Sequence, residues 1–242
     1  MYKKLLSIIL ILTTILFTQE WHAIADDDWQ IDSGYTELSD AEEIELGKQV
    51  DEYIRHQFYM GNDAELIKMV NEITQKLATV SDRKTLPFTC DVIQSHSINA
   101  FSAPGRHIYL TEGLLKFTGS EDEVAGIIGH EIAHASLRHV SKLYYEFLEI
   151  FSQKNRGTDF DTTLLLLNSQ LEEFEQDADT VGVLYAHKAG FDPNGLPDFL
   201  ERHLDLLINN RIFGLLRFDS FVTINSRINH LREYIPTLVK QE

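Results

Sequence analysis

A histidine-glutamate-histidine motif inside a helix-forming stretch constrains this chain more than any other feature of its sequence. The stretch begins at Ser120, with Glu123 three residues later as in a capping box, and its apolar residues then recur at helical spacing. It contains the run His130-Glu131-Ile132-Ala133-His134. Because residues four apart share one face of an α-helix, both imidazoles can bind the same metal ion. We therefore predict a buried helix that carries a metal site.

The glutamate between the histidines indicates what that metal would be used for. Glu131 can accept a proton from a water molecule acidified by the metal and later donate it to a leaving amine, as general base and then acid. The H-E-x-x-H spacing is typical of peptidases that use one Zn²⁺ per chain. The alternative is a pair of histidines that are simply packed and hydrogen-bonded in a core.

Two histidines leave a catalytic zinc site one protein ligand short of the usual three. An acidic run at residues 172–179 can supply the third ligand, and it opens a helix predicted over residues 171–189. Glu175 and Asp179 share a face, so one carboxylate can bind zinc while the other orients a ligand histidine. Gly182 extends that face and permits a close helix crossing. Alternatively, acidic residues in a first turn only complement the helix dipole.

One more histidine follows the motif closely. His139 is nine residues after His130, which places it about 180° round a continuous helix from that residue. We therefore predict a structural role for His139.

The composition excludes several classes of function. The 242 residues include 21 basic and 38 acidic ones, a formal charge of −17 that would repel a phosphate backbone, so we expect no nucleic-acid partner. Cys90 is the only cysteine, which excludes an intramolecular disulfide and a thiolate zinc cage. We expect Cys90 to be a small buried hydrophobe in a strand.

The first 25 residues have the pattern of an export signal. Lys3 and Lys4 precede an apolar stretch over residues 5–17, and Ala23-Ile24-Ala25 is a small-x-small cleavage site. We predict cleavage after Ala25, a periplasmic mature chain and no stable membrane span. The alternative is an uncleaved membrane anchor.

The mature chain, residues 26–242, is expected to form one α+β domain of mainly helical character with a small mixed sheet. Periodicity and turn residues predict strands over residues 87–94 and 107–110, a turn at 103–106, and helices after Ser39 and over 63–80. Residues 152–161 are typical of a surface loop, and another helix is expected to begin near Pro193.

Five ordered blocks of sequence resemble the HtpX/Oma/CAAX-prenyl-protease family of zinc metallopeptidases, and within it the exported BepA-like and LoiP-like bacterial branch. The blocks are Ile98-Asn99-Ala100-Phe101-Ser102-Ala103-Pro104-Gly105, Ile108-Tyr109-Leu110-Thr111-Glu112-Gly113-Leu114-Leu115, His130-Glu131-Ile132-Ala133-His134, Glu175-Gln176-Asp177-Ala178-Asp179 and Ala189-Gly190-Phe191-Asp192-Pro193. The resemblance implies a zincin-type metallopeptidase domain with its small sheet over the active-site helix.

The resemblance also assigns roles to residues. It implies Glu175 as the third zinc ligand and Asp179 as the partner of a ligand histidine. It further implies Asn99, Ala100 and Phe101 as a substrate-binding edge strand, where an extended peptide pairs through its backbone. The alternative for these three residues is a core strand flanked by turns.

One segment departs from the family pattern. Relatives carry a histidine-proline loop ahead of an arginine, whereas this chain has Asp219-Ser220-Phe221-Val222 ahead of Arg227. Phe221 therefore replaces a histidine that lies near the metal in relatives. His203 or His230 can be considered as substitutes for it, but we expect each of them to be a surface histidine.

The family resemblance implies an endopeptidase that acts on unfolded or misfolded envelope polypeptides, with outer-membrane assembly factors as partners. Two rivals remain open at this point. One is a zinc-binding chaperone or scaffold with little or no proteolysis, and the other is a structural domain without metal. The chain ends at Glu242, so we expect no C-terminal helical-repeat domain of the kind that BepA-like proteins add.

Overall fold

The computed structural model describes residues 38–139, 141–142, 160–209 and 218–240, with the backbone alone described for 160–170 and 218–223. These residues contain the following elements: α1 Asp40–Gln57, α2 Ala64–Val80, β1 Thr89–Ile93, β2 Ala100–Ser102, β3 His107–Thr111, α3 Glu112–Phe117, α4 Glu121–Ser136, α5 Phe160–Lys188, α6 Gly195–Asn209 and α7 Phe218–Val239. The expectation of a mainly helical α+β fold is confirmed.

The predicted export signal and its cleavage site at Ala25 lie outside the described residues, so both stay predictions. Among the described helices, none has the length and apolar composition that crossing a bilayer requires.

The three strands form the predicted small mixed sheet in the order β1-β3-β2. β1 runs parallel to β3, with Cys90 opposite Ile108, and β2 runs antiparallel to β3, with Phe101 opposite Tyr109. The turn between β2 and β3 contains Gly105 at φ 83°, a left-handed conformation that glycine adopts without strain. β2 thus lies at an edge of the sheet.

The central strand β3 is buried on both faces, because different helices cover them. Ile108 and Leu110 face the main core with α2, α4, α5 and α6. Tyr109 faces a smaller cluster that α1 completes with Leu46, Val50 and Ile54. Alternate side chains of a strand point to opposite faces, so β3 joins the two clusters.

Helix α4 begins differently from the prediction. Ser120 Oγ accepts the N–H of Glu123, as expected of a cap. The Glu123 carboxylate does not return this bond to the Ser120 backbone as a capping box would. It accepts the N–H of Gly119 and pairs with Arg202 of α6. The helix predicted after Ser39, in contrast, begins with a complete capping box between Ser39 and Glu42.

Helix α5 is longer than predicted. It begins at Phe160 and not near residue 171, so the predicted loop over residues 152–161 is wrong at 160–161, and its remainder lies outside the described residues. The acidic run at residues 172–179 consequently lies in the interior of the helix. A dipole role in a first turn is therefore excluded for these carboxylates.

Helices α4 and α5 cross so closely that their backbones touch. A Cβ atom on Gly182 would lie 2.6 Å from the backbone nitrogen of His130, and one on Gly129 would lie 2.7 Å from the carbonyl oxygen of Gly182. Both distances are shorter than a carbon atom tolerates against backbone. The close crossing predicted at Gly182 is therefore present, and glycine at 129 is needed for it as well.

We predict that Gly182→Ala lowers the free energy of unfolding by roughly 2 kcal/mol, because the added methyl group forces the two helices apart. Alanine is the better helix former by about 1 kcal/mol, so any loss comes from the crossing. Urea unfolding measures the difference. The exposed Gln176→Ala on the same helix is the control, and equal stabilities of the two variants would contradict this view of the crossing.

Candidate metal centre

Three side chains, two from α4 and one from α5, converge near the point where these helices cross. His130 Nε2 lies 3.0 Å from His134 Nε2. The Glu175 carboxylate approaches both rings, with Oε2 3.5 Å from His130 Nε2 and Oε1 3.3 Å from His134 Nε2. Four ligands placed tetrahedrally around zinc at its usual bond lengths are about 3.3–3.4 Å apart. The nitrogen, nitrogen and oxygen donor set and its spacing therefore fit Zn²⁺.

The position of these side chains follows from helix geometry. His130 and His134 are one turn apart on α4, while Glu175, Asp179 and Gly182 recur at intervals of four and three residues along α5. Glu175 therefore lies on the face that Gly182 presses against α4. The two helices bring together the ligands that the motif and the acidic run predicted separately.

The Asp179 carboxylate contacts His130, the first of the two motif histidines. It is fully buried, and its Oδ1 lies 2.9 Å from His130 Nδ1, so Nε2 of that ring is left to face the other donors. Burial alone would lower the pKa of His130, but the hydrogen bonds to Asp179 and Glu175 raise it to about 10. The Asp179 carboxylate thus lies where it can orient this imidazole.

Arg227, for which the sequence suggested no definite role, joins the two carboxylates. Its Nε and Nη2 each lie 2.7 Å from an oxygen of Asp179, and its Nη1 lies 2.6 Å from Glu175 Oε2. Burial opposes ionisation of Glu175 and Asp179, yet the charge of Arg227 and their bonds to the histidines hold the pKa of each below its usual range. Both groups are therefore carboxylates at neutral pH.

His139 lies beside the site, and not about 180° round a continuous helix from His130 as its spacing predicted. Helix α4 ends at Ser136, and Arg138 has φ 59°, so the chain changes direction before residue 139. His139 Nδ1 consequently lies 3.0 Å from His134 Nδ1. Burial, followed by the charges of His134 and Lys142, lowers the pKa of His139 to about 3. No glycine or proline marks this break in the sequence, which is why helical spacing misplaced the residue.

Glu131 is available for proton transfer. Glu131 is the glutamate of the H-E-x-x-H motif and is only 7% exposed. Within the described part of the chain, no hydrogen bond or ion pair occupies its carboxylate, in contrast to Glu175 and Asp179.

The segment expected to bind substrate forms the half-buried edge of the sheet. Thr111 N–H donates to the Asn99 carbonyl, and Ala103 N–H donates to the His107 carbonyl. In an antiparallel pair such bonded positions alternate, so Asn99, Phe101 and Ala103 direct their backbone groups to β3. Ala100 and Ser102 therefore direct theirs away from β3. Phe101 stacks on Tyr109 with 5.0 Å between ring centroids.

The other candidate histidines do not join the ligand cluster. His230 Nε2 lies 2.8 Å from Thr180 Oγ1, and its ring stacks on Tyr234 in the contact between α5 and α7. His203 packs against Phe117 and Phe199. Among the described residues, neither His203 nor His230 belongs to the group formed by His130, His134 and Glu175. The backbone of Phe221 is helical, and its side chain lies outside the description.

In a second group of possible metal ligands, an arginine already balances the carboxylate charges. Asp51, Asp91 and His107 lie close enough to share an ion. Arg55, however, bonds both carboxylates, with Nε 2.8 Å from Asp51 and Nη2 2.6 Å from Asp91, and Tyr109 donates to Asp51. The first cluster is therefore the better metal centre.

An H-E-x-x-H helix whose two histidines face a glutamate from a crossing helix defines a metallopeptidase domain. The profile of Peptidase family M48 matches residues 66–235, which include this whole centre, and the chain belongs to that family. Peptidases of this family are zinc-dependent.

Named relatives agree with this assignment. The Beta-barrel assembly-enhancing protease of Escherichia coli strain K12 is 26% identical over 188 residues, which cover 69% of this chain and 39% of that protein. The Putative beta-barrel assembly-enhancing protease of Vibrio cholerae is 30% identical over 165 residues, covering 60% and 34%. The Mitochondrial metalloendopeptidase OMA1 of Schizosaccharomyces pombe is 26% identical over 184 residues, covering 72% and 54%. The chain therefore matches only part of each relative's length.

We predict that Arg227→Met destabilises the metal-free protein by about 3–5 kcal/mol, because it leaves buried Asp179 without its cation. Urea unfolding in the presence of a chelator measures this loss. The double variant Arg227→Met with Asp179→Asn removes both charges and should recover a substantial part of it. If the double variant is as unstable as the sum of the two single variants, the ion pair is not the cause.

Proposed function

We propose that this protein is a zinc-dependent endopeptidase in which His130, His134 and Glu175 hold the metal and Glu131 transfers protons. The convergence of these three donors beside an unengaged buried glutamate supports the proposal most directly. When bound, zinc would polarise the scissile carbonyl and acidify water. Glu131 accepts the proton of the attacking water and passes it to the leaving amine. Asp179 and Arg227 keep His130 and Glu175 oriented while this occurs.

We predict that Glu131→Gln retains zinc but lowers kcat/KM for an unfolded substrate such as casein by about 10²–10⁴-fold, because the amide cannot take up the proton. Zinc content by elemental analysis and cleavage of labelled casein measure the two properties. Equal inactivity of wild type and variant, with zinc bound to both, would instead favour the zinc-binding chaperone. Well under one zinc per chain in the wild type would favour a structural domain.

The proposed substrate is an extended polypeptide that adds a strand at β2. Helix α4 packs against β2, so this edge lies in a fixed position relative to the motif. The outward backbone groups of Ala100 and Ser102 can pair with a peptide main chain, as in β-strand addition. This refines the expectation for Asn99, Ala100 and Phe101, because Asn99 and Phe101 use their backbone groups for β3.

We predict that Ala100→Pro lowers kcat/KM for peptides roughly fivefold, because it removes an outward N–H worth about 1 kcal/mol to a bound strand. Zinc affinity should not change. Ala100→Val retains the N–H and is the matched control, and Phe101→Pro should reduce stability because that N–H belongs to the ladder with β3. Full activity of Ala100→Pro at unchanged KM would contradict pairing at this edge.

The names of the bacterial relatives suggest a biological setting. Those proteins are called beta-barrel assembly-enhancing proteases, and we propose a periplasmic location with unfolded or misfolded envelope proteins as substrates and outer-membrane assembly factors as partners. The predicted export signal at residues 1–25 supports this location. Envelope proteins that accumulate on an inactive Glu131→Gln variant and not on wild type would identify the substrates, and retention of the protein in the cytoplasm would exclude the setting.

A further inference from the structure

Both nitrogens of the His134 ring have close neighbours. Its Nε2 faces His130 and Glu175, at 3.0 Å and 3.3 Å, and its Nδ1 lies 3.0 Å from Nδ1 of His139. We propose that His139 is a positioning residue that accepts a hydrogen bond from the Nδ1–H of His134 and thereby fixes the ring with Nε2 toward the metal. This inference rests on the proposed zinc site and deepens it.

The positions of the protons follow from the two short contacts. A ring nitrogen that binds a metal carries no proton, so His134 must hold its proton on Nδ1 if Nε2 is the ligand atom. At 3.0 Å the two Nδ1 atoms cannot both carry protons, and His139 Nδ1 therefore accepts. His139 then holds its own proton on Nε2.

The two ligand histidines thus have chemically different partners. His130 faces the carboxylate of Asp179, and His134 faces a neutral imidazole. Zn²⁺ with Glu131, Glu175, Asp179 and Arg227 already sums to zero formal charge. A neutral acceptor at position 139 orients the second ligand without adding another buried negative charge, whose burial would be costly.

Helix α5 holds His139 in place. The His139 ring stacks on Phe174, with 4.2 Å between centroids and 10° between planes, and His139 is 1% exposed. Phe174 directly precedes Glu175 in the chain. One turn of α5 therefore supplies the third ligand and also supports the partner of the second ligand.

Contacts from outside the site maintain the turn that places His139. Arg138 Nη1 donates to the Leu38 carbonyl at 2.7 Å and pairs with the buried carboxylate of Glu43 at 3.3 Å, both near the start of α1. Arg83 donates to the Ala135 carbonyl at 2.9 Å and also pairs with Glu43. The left-handed conformation is unfavourable for arginine, so it needs such contacts to persist.

A pair of variants separates hydrogen bonding from packing. His139→Asn keeps an acceptor near the position of Nδ1 but loses the ring, whereas His139→Phe keeps the ring on Phe174 but loses the acceptor. Zinc dissociation constants are measured by competition with a chromophoric chelator, and the melting temperature of each metal-free protein is recorded in parallel.

We expect His139→Phe to weaken zinc binding about 10–100-fold and His139→Asn to recover most of that loss. The reverse order, with Phe close to wild type and Asn impaired, would show a packing role and overturn the proposal. Dissociation constants of both variants within threefold of wild type would also overturn it. Failure of the wild type itself to bind zinc would refute the proposed function and not this step alone.

A measurement on the wild type does not depend on how the variants fold. In the zinc-loaded protein, ¹⁵N NMR of the histidine rings should show a proton on Nδ1 of His134 and on Nε2 of His139. A proton on Nδ1 of His139 would contradict the proposed acceptor.

Discussion

The backbone contact between Gly129 and Gly182 is the constraint on which the metal centre depends. Without side chains at these two positions, α4 and α5 approach until main-chain atoms touch. Glu175 lies two turns of helix from Gly182, and a helix transmits displacement along its axis with little bending. The 3.3–3.5 Å spacing between Glu175 and the two histidines is therefore a consequence of how closely the helices cross.

Charge balance explains why such a centre can form before any metal arrives. Two carboxylates one turn apart on the inner face of a helix would repel each other, and this would favour protonation. Arg227 prevents this by bonding Asp179 through two nitrogens and Glu175 through one. Because only one oxygen of Glu175 is bonded to arginine, the other remains directed at His134 and open to a cation. Arg227 thus holds the Glu175 carboxylate in position and leaves one of its two oxygens for a metal ion.

Helical periodicity carries most of what the sequence reveals about this site. His130, His134, Glu175 and Asp179 recur at intervals that place each pair on one helix face, and Gly182 marks the crossing. The family resemblance was needed to choose Glu175 and Asp179 among neighbouring acidic residues. The fold class and the mixed sheet also followed from pattern and turn residues.

Three of the features that sequence reasoning missed depend on contacts between distant segments. His139 was misplaced because an arginine in a left-handed conformation ends α4, and contacts from Leu38 and Glu43 hold it there. Arg227 had no assigned role because its partners lie on another helix 48 and 52 residues earlier in the chain. Glu123 does not complete the predicted capping box because its carboxylate pairs with Arg202 instead. Local propensity contains no information about any of these partners.

The short edge strand limits what the proposed peptidase can cleave. β2 has three residues and directs the backbone groups of only two of them away from β3, so it is a short edge of the kind that resists pairing with another sheet. Backbone pairing does not read side chains, and a folded protein has already committed its own backbone groups internally. We therefore expect selection at the proposed edge to act on backbone conformation before sequence, so that unfolded segments are the preferred substrates.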